Sequence, residues 1–557
     1  MTSRAAALGT AAYAVALAAL FLFTALFRFL QLKDGFPNDH FLYIAGAQQM
    51  LYGDWPTRDF LDQGLPLMYV ASALAQVLLG KTLFAEAVLV ALSFALSAVL
   101  TAAAVRELTG SRLLALLAAV IEVAMVTRSY GYPKVLVYAA TFFLLQRYVT
   151  KPTTGRLFAL AVSIVVAFLF RHDHGIYLGV GGVIAAWLAG DHEPGGVRRA
   201  ATLAGMIVLL TLPYLIYVQV FGGLWAYLQV GLEFRAGELG RQPHVWPPLF
   251  GELPHHAALL YEYWAIPIAA ALLLVASRTR DPSTRFARSG QARIIMARVA
   301  PLVAVALMVN WTFLRDPLIT RLHDAIVPAV TLGPWLVACA WRARQLWVWR
   351  PVAVLLVALV TNSVMHVGST VEQLDRASLL VTWRRIPEFI REVGSALREP
   401  HAERQLPSRT AHALWPFYDY VDRCTTSRHR LLVGGFAPEV PVLTRRGFAG
   451  GQPGFVQGYY GGEEYQRLVL QRMAKEVVPF VILPGEAAIN QFSAGFRLVA
   501  NYVRIRYVPL VTLGDDVSTA VQVLFDSALP VAARDPQTGW PCEVANEWTI
   551  YATGQRH

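Results

Sequence analysis

Long apolar stretches separated by short polar breaks dominate the first two thirds of the chain. Runs near residues 8 to 30, 83 to 105, 111 to 127, 132 to 148, 157 to 170, 176 to 190, 200 to 222, 257 to 277, 299 to 314, 326 to 341 and 351 to 367 are apolar all round, as helices in hydrocarbon must be. They predict about eleven membrane-spanning helices. The segment Leu65 to Leu79 is also apolar, but it is short and follows Pro66 closely, so it reads as a helix at the membrane surface. From about residue 370 the pattern changes to short apolar runs, "RLLVGGF", "VVPFVILPG", "RIRYVPLVTLG" and "TAVQVLFD", with the amphipathic stretch "EEYQRLVLQRMAKE" among them. That alternation predicts a soluble α/β domain over 370–557 behind a transmembrane domain over 1–369, whose first outer loop covers about 31–82. No internal repeat or low-complexity tract interrupts either part.

Composition supports this class: 56% of the 557 residues are hydrophobic and 15% charged, and the mean hydropathy is +0.45. The net charge of +11 does not point to nucleic acid, because the basic residues fall in short clusters between apolar runs. Arg106 and Arg112, Arg147 to Arg156, Arg198 and Arg199, the run from Arg278 to Arg298, and Arg342 to Arg350 all lie on one side of an eleven-span chain. The positive-inside bias makes that side cytoplasmic, so the first outer loop and the C-terminal domain are expected outside. The apolar N-terminal segment is too long for a signal-peptide core and reads as a retained span. Three cysteines are too few for a disulfide scaffold; Cys424 and Cys542 share a compartment that permits a bridge, with pairing and two free thiols both open.

Ionisable residues collect at the outer ends of the spans. They are Asp39 and His40 after the first span, Arg128, Tyr130 and Lys134 in "TRSYGYPK", Arg171, His172, Asp173 and His174 in "RHDHG", and Arg321, His323 and Asp324 in "RDPLITRLHD". Charges close to hydrocarbon face a cavity or each other, so four such sets on one face suggest a common acidic and basic cavity. Each set also has a plainer explanation. Asp39 suits a helix N-cap; Arg128 and Lys134 suit snorkelling; Arg321, His323 and Asp324 suit an ion-pair network. His172 and His174 flank Asp173 as a metal pair could, although alternate residues suit a metal only on an extended segment, which favours a hydrogen-bonded cluster.

An Asp just outside the first span, a helix ending in Leu-x-Gly-Asp and then "PTRDFLDQGLPLMY" resemble the first outer loop of GT-C glycosyltransferases, closest to the protein-mannosyltransferase and aminoarabinose-transferase-like branch. The resemblance implies a GT-C fold with two juxtamembrane helices in that loop, and a multi-pass enzyme of the bacterial inner membrane. Such an enzyme moves a sugar from a polyprenyl-phosphate donor to a glycan, lipid or protein acceptor. It implies Asp39 as catalytic base at the start of a helix from Phe41 to Tyr52, with Gly53 and Pro56 turning the chain and Arg58, Asp59 and Gln63 near the cavity. The chain has His40 where many relatives carry a second acid, so Asp173 is the candidate second carboxylate. No cofactor is assigned; a divalent metal on Asp39, Asp173, His172 and His174 stays open as an alternative. The chemistry asks for a base for the acceptor hydroxyl and cations for the departing phosphate, here Asp39 with Arg128, Lys134 and Arg321. The rivals are a transporter or flippase of lipid-linked glycans, a membrane acyl or phosphoryl transferase, and a glycan-binding receptor. Broken midplane helices and repeated halves, the marks of a transporter, are not apparent.

Overall fold

A computed structural model of the chain describes residues 2–32, 35–125, 127–189, 193–241, 246, 255–279, 290–314, 322–343, 350–352, 354–355, 386–398, 409–456, 460–514 and 520–542. Among the described residues thirteen α-helices run to residue 343: α1 Thr2–Gln31, α2 Asn38–Leu51, α3 Pro66–Leu79, α4 Leu83–Thr109, α5 Arg112–Ala124, α6 Tyr132–Thr150, α7 Thr154–Phe170, α8 His172–Leu188, α9 Glu193–Phe221, α10 Leu224–Arg241, α11 His255–Thr279, α12 Gly290–Phe313 and α13 Ile326–Ala343. Every expected span up to residue 341 is a helix. Among the described residues six helices are long and apolar enough to cross a membrane: α1, α4, α9, α11, α12 and α13. The chain is a multi-pass membrane protein. The span expected at 351–367 and the domain boundary expected near 370 lie almost wholly outside the described residues.

The chain divides into two compact units. One comprises Met1–Gln31, Val88–Ile216 and Gln242–Arg391; the other joins Leu32–Ala87, Tyr217–Arg241 and Glu392–His557. The first outer loop therefore clusters with the C-terminal region, 300 and more residues away in sequence.

The first unit is helical and packs through small residues. Ala95, Ala98 and Ala102 of α4 and Ala115, Ala118 and Ala119 of α5 are fully buried, which lets helix backbones approach where no hydrophobic force drives them together. A Cβ on Gly181 of α8 would stand 2.6 Å from Val305 of α12, and one on Gly182 would stand 2.7 Å from Ile164 of α7. Those contacts make α8 the helix about which α7 and α12 close.

The second unit is built on a five-stranded sheet: β1 Arg430–Val433, β2 Gly447–Phe448, β3 Phe480–Pro484, β4 Tyr507–Leu513 and β5 Val521–Asp526, in the order β2-β1-β3-β5-β4. β2, β1 and β3 are parallel, and β5 pairs antiparallel with both β3 and β4. Alternation along each strand feeds two cores. Leu431, Val433, Phe480 and Ile482 pack with Phe417, Tyr420 and Val421 of the helix Arg409–Cys424; Leu432, Val481 and Leu483 pack with Val469, Met473, Phe492 and Val499. Cys424 and Cys542 are joined by a disulfide across 118 residues, and Cys339 is free.

Candidate active site

Asp39 is exposed in the first turn of α2, and its carboxylate meets no hydrogen-bond or ion-pair partner among the described residues. The helix begins three residues earlier than expected. Pro37 is its N-cap, because a proline has no N–H to lose there, and Asp39 bonds none of the helix's N–H groups, which sets aside the reading of Asp39 as a cap. Negative charge is favoured in that turn all the same, since the first N–H groups of a helix lack intrahelical partners.

The side chains behind Asp39 fix the helix that carries it. His40 turns inward and is fully buried, its Nε2 donating to Glu86 Oε1 at 2.7 Å, and the Ser72 hydroxyl donates to the same oxygen at 3.0 Å. Phe36 and Tyr43 flank the imidazole at ring-centre distances of 4.6 and 6.0 Å. Farther along, Gly46 lies so close to the Tyr69 ring of α3 that a Cβ would come within 2.4 Å. Since His40 neighbours Ser72 through Glu86, and Gly46 neighbours Tyr69, α2 and α3 pack antiparallel.

The far end of α2 is stitched to the sheet. The Gln49 amide accepts from Phe448 N at 3.1 Å and donates to Phe448 O at 3.4 Å, serving β2 as a missing strand would. Gln49 Nε2 also donates to Asp54 at 2.7 Å, and Arg430 of β1 reaches the same carboxylate oxygen at 2.9 Å. Burial pushes the Asp54 carboxyl above its ordinary range, and the Arg430 guanidinium draws it back. Tyr52 donates to Arg445 O at 2.7 Å, and Leu61 N to Gly451 O at 2.9 Å. Gly53, at φ 100°, makes the expected turn that no side chain would readily adopt.

Arg58 and Asp59 form a surface pair, Nε to Oδ2 at 2.7 Å, and Asp59 also accepts from Trp55 N at 2.8 Å, so both serve the turn locally. Gln63 is half-buried. Its neighbour Asp62, which pattern reading passes over, is buried and accepts from Gly64 N, Leu65 N and the Tyr227 hydroxyl at 3.0, 2.9 and 3.0 Å. Glu86 was equally hidden, as a lone acid at the head of an apolar run.

In the helical unit, Lys134 at the start of α6 is buried and ion-paired with Asp324. Gly131 allows that approach, since its Cβ would collide with the Asp324 carboxylate. Asp324 thus serves Lys134; Arg321, the third member of the expected ion-pair network, lies outside the described residues, and the His323 carbonyl accepts from the Thr127 hydroxyl at 3.3 Å. Arg128 is exposed, its guanidinium bonded to the Tyr130 hydroxyl at 3.1 Å with no carboxylate among the described residues.

"RHDHG" is the joint between α7 and α8. Arg171 is extended between the helices and clasps Asp173 with two bonds of 3.0 and 2.9 Å, while Asp173 accepts from His174 N at 2.9 Å. Gly175 is required there, because a Cβ would meet the Phe168 backbone at 2.2 Å. His172 stacks on Phe168 and bonds its carbonyl through Nδ1 at 2.7 Å; since a carbonyl only accepts, Nδ1 carries the proton. His174 is buried, with Nδ1 on the Tyr138 hydroxyl. The two imidazoles are engaged separately, and no group of three or more His, Cys, Asp or Glu stands in metal-binding geometry among the described residues. Sequence reading also passed over Arg28 and Glu122, both buried in apolar helices. Arg28 donates to Thr127 O at 2.9 Å and lies 4.2 Å from the Phe94 ring centre, and Ser97 donates to Glu122 at 2.7 Å.

No family model matches the chain, and no curated protein matches it. The solved structures similar to it include two of ArnT from Cupriavidus metallidurans. One, bound to undecaprenyl phosphate, is 14% identical at a TM-score of 0.48 and spans 91% of this chain and 97% of that one. The other, in the apo state, is 14% identical at a TM-score of 0.48 over 92% and 98%.

Proposed function

We propose that the chain is a membrane glycosyltransferase that moves a sugar from a polyprenyl-phosphate donor to an acceptor hydroxyl on the extracytoplasmic side, with Asp39 as general base. One observation carries this reading: among the described residues Asp39 is exposed and uncommitted on a helix that is locked in place around it, His40 to Glu86 and Gln49 to Phe448 on the helix itself and Asp54 to Arg430 just past its end. A base must be held in place yet keep its carboxylate free. The acceptor O–H gives its proton to Asp39, the oxygen attacks the anomeric carbon, and the bond from that carbon to the phosphate oxygen breaks. The lipid phosphate leaves with the electron pair. A single direct displacement of this kind inverts the anomeric configuration.

Arg128, bonded only to the Tyr130 hydroxyl and facing no carboxylate among the described residues, is a candidate cation for the lipid phosphate, whereas Lys134 is matched by Asp324 and Arg171 by Asp173. The donor class follows from the likeness of "PNDHFLYIAGAQQMLYGDWPTRDF" to the first outer loop of GT-C enzymes. The Cys424–Cys542 disulfide suits an oxidising compartment, in keeping with an extracytoplasmic C-terminal region. The test supplies membranes containing or lacking the chain with undecaprenyl-phosphate-linked glucose, mannose, galactose and aminoarabinose. Chain-dependent release of undecaprenyl phosphate, with the sugar recovered on a second molecule, is expected. Equal donor consumption with and without the chain would overturn the assignment.

A further inference from the structure

Helices α5 and α13 of the helical unit run antiparallel. Arg342, near the end of α13, donates to Thr109 O at 2.9 Å just before α5 begins, and the Thr127 hydroxyl, just past the end of α5, donates to His323 O at 3.3 Å shortly before α13 begins. Between them lies a cavity of about 110 Å³ walled by apolar side chains, among them Leu114, Leu117 and Ile121 of α5 and Val330, Pro334 and Val337 of α13. Aliphatic cavities of this order stay dry and admit hydrocarbon. Leu117 is 47% exposed, beside the bare Leu113 and Val120, so the cavity opens on the apolar outer face of α5. At 1.5 Å per residue its lining runs from about 3 Å past Arg112, at Leu114, to about 18 Å from Arg342, at Val330, which is close to the roughly 15 Å of one leaflet's hydrocarbon.

Cations without counter-ions stand at the Arg112 end. Arg106 and Arg112 share the Tyr13 ring, their guanidinium carbons 4.7 and 5.8 Å from its centre, and Arg112 also donates to the Thr10 hydroxyl at 3.1 Å. Neither these two nor Arg342 meets a carboxylate among the described residues; Glu107, next to Arg106 in sequence, is engaged by Arg147 at 3.3 Å. Trp341, exposed beside Arg342, suits the depth between hydrocarbon and headgroups.

We propose that this is a binding site for an anionic glycerophospholipid, with one acyl chain in the cavity and the phosphate on Arg112 and Arg342. Two features select that occupant. The cavity ends within one leaflet, as an acyl chain does, and the arginines at its head match a phosphodiester, whereas a zwitterionic lipid brings an ammonium that they repel. The positive-inside bias makes this the inner leaflet. Arg128 follows the opposite end of α5, so the site is distinct from the one proposed for the donor phosphate and does not depend on the catalytic reading.

The test uses the full chain in phosphatidylethanolamine nanodiscs with a trace of phosphatidylglycerol that carries a diazirine on one acyl chain. After irradiation the labelled peptides are identified by mass spectrometry. Label is expected on 114–121 and 330–337, and unlabelled phosphatidylglycerol should lower it several-fold more than equal additions of phosphatidylethanolamine or undecaprenyl phosphate. Arg112→Gln combined with Arg342→Gln should lower it several-fold on these helices and leave the label on α9 unchanged. The competition is read on the unaltered protein, so the test stands without the variant. Absence of label from both segments, equal competition by phosphatidylethanolamine, or an unchanged label in the folded double variant would overturn the proposal. Stronger displacement by undecaprenyl phosphate would give the cavity to an isoprenoid tail, which overturns it equally.

Discussion

Glu439 is a carboxylic acid in the wrong surroundings, and its replacement has a calculable effect. It opens the short helix Glu439–Leu443 just after β1, is 3% exposed, and neither carboxylate oxygen has a hydrogen-bond partner among the described residues. Burial pushes its pKa from an ordinary 4.5 up to about 7. The folded protein therefore binds the proton more tightly than the unfolded chain does. The stability of this unit is greatest below about pH 4.5 and declines as pH rises towards about 7, where the decline ends. At about 1.36 kcal/mol per pH unit, ionising Glu439 costs up to about 3 kcal/mol at neutral and higher pH. Glu439→Gln has nearly the same shape and no charge. In the full-length protein, hydrogen exchange at the amides of β1 and β3 should be slower in the variant at about pH 8, by up to about 3 kcal/mol of opening free energy, and almost unchanged at about pH 4. Comparing the two proteins at one pH cancels the intrinsic exchange rates. Equal protection at the higher pH, or the same gain at both, would refute the reasoning.

Glu86→Leu leaves the buried His40 ring without its carboxylate and should destabilise the α2–α3 hairpin by about 1–3 kcal/mol, read as faster exchange at α2 amides; unchanged exchange would deny the lock. Alkylation and intact-mass analysis without reductant should modify Cys339 alone, and all three cysteines after reduction; three modified cysteines without reductant would exclude the bridge. Arg128→Gln should weaken donor use by about 1.5–3 kcal/mol if the guanidinium makes a charged hydrogen bond to the phosphate, and unaltered donor kinetics would remove it from the site.

The spans were legible because hydropathy is a local property, and apolar runs of this length have few other fates in water. The strands of the C-terminal sheet were legible for the same reason, as runs such as "RLLVGGF" carry their alternation with them. What joins them was not. Gln49 meets Phe448 across 399 residues and Lys134 meets Asp324 across 190, and a single sequence holds no record of which distant partners meet. Lys134 and Asp324 were both visible as charges at span ends, yet nothing in the sequence pairs the one with the other. His40 stood out beside Asp39, while Glu86 was masked by the apolar run it begins.

The central claim is that Asp39 takes the acceptor's proton, and Asp39→Asn tests it with little change in shape. Asp39 makes no structural bond among the described residues, so the variant should fold, and donor binding should persist. Transfer from the polyprenyl-phosphate sugar should fall by about 10²- to 10⁴-fold, the usual contribution of a general base. Asp173→Asn, which only breaks the clasp with Arg171, should cost far less. Near-normal turnover in Asp39→Asn beside an inactive Asp173→Asn would contradict the account and move the base to Asp173.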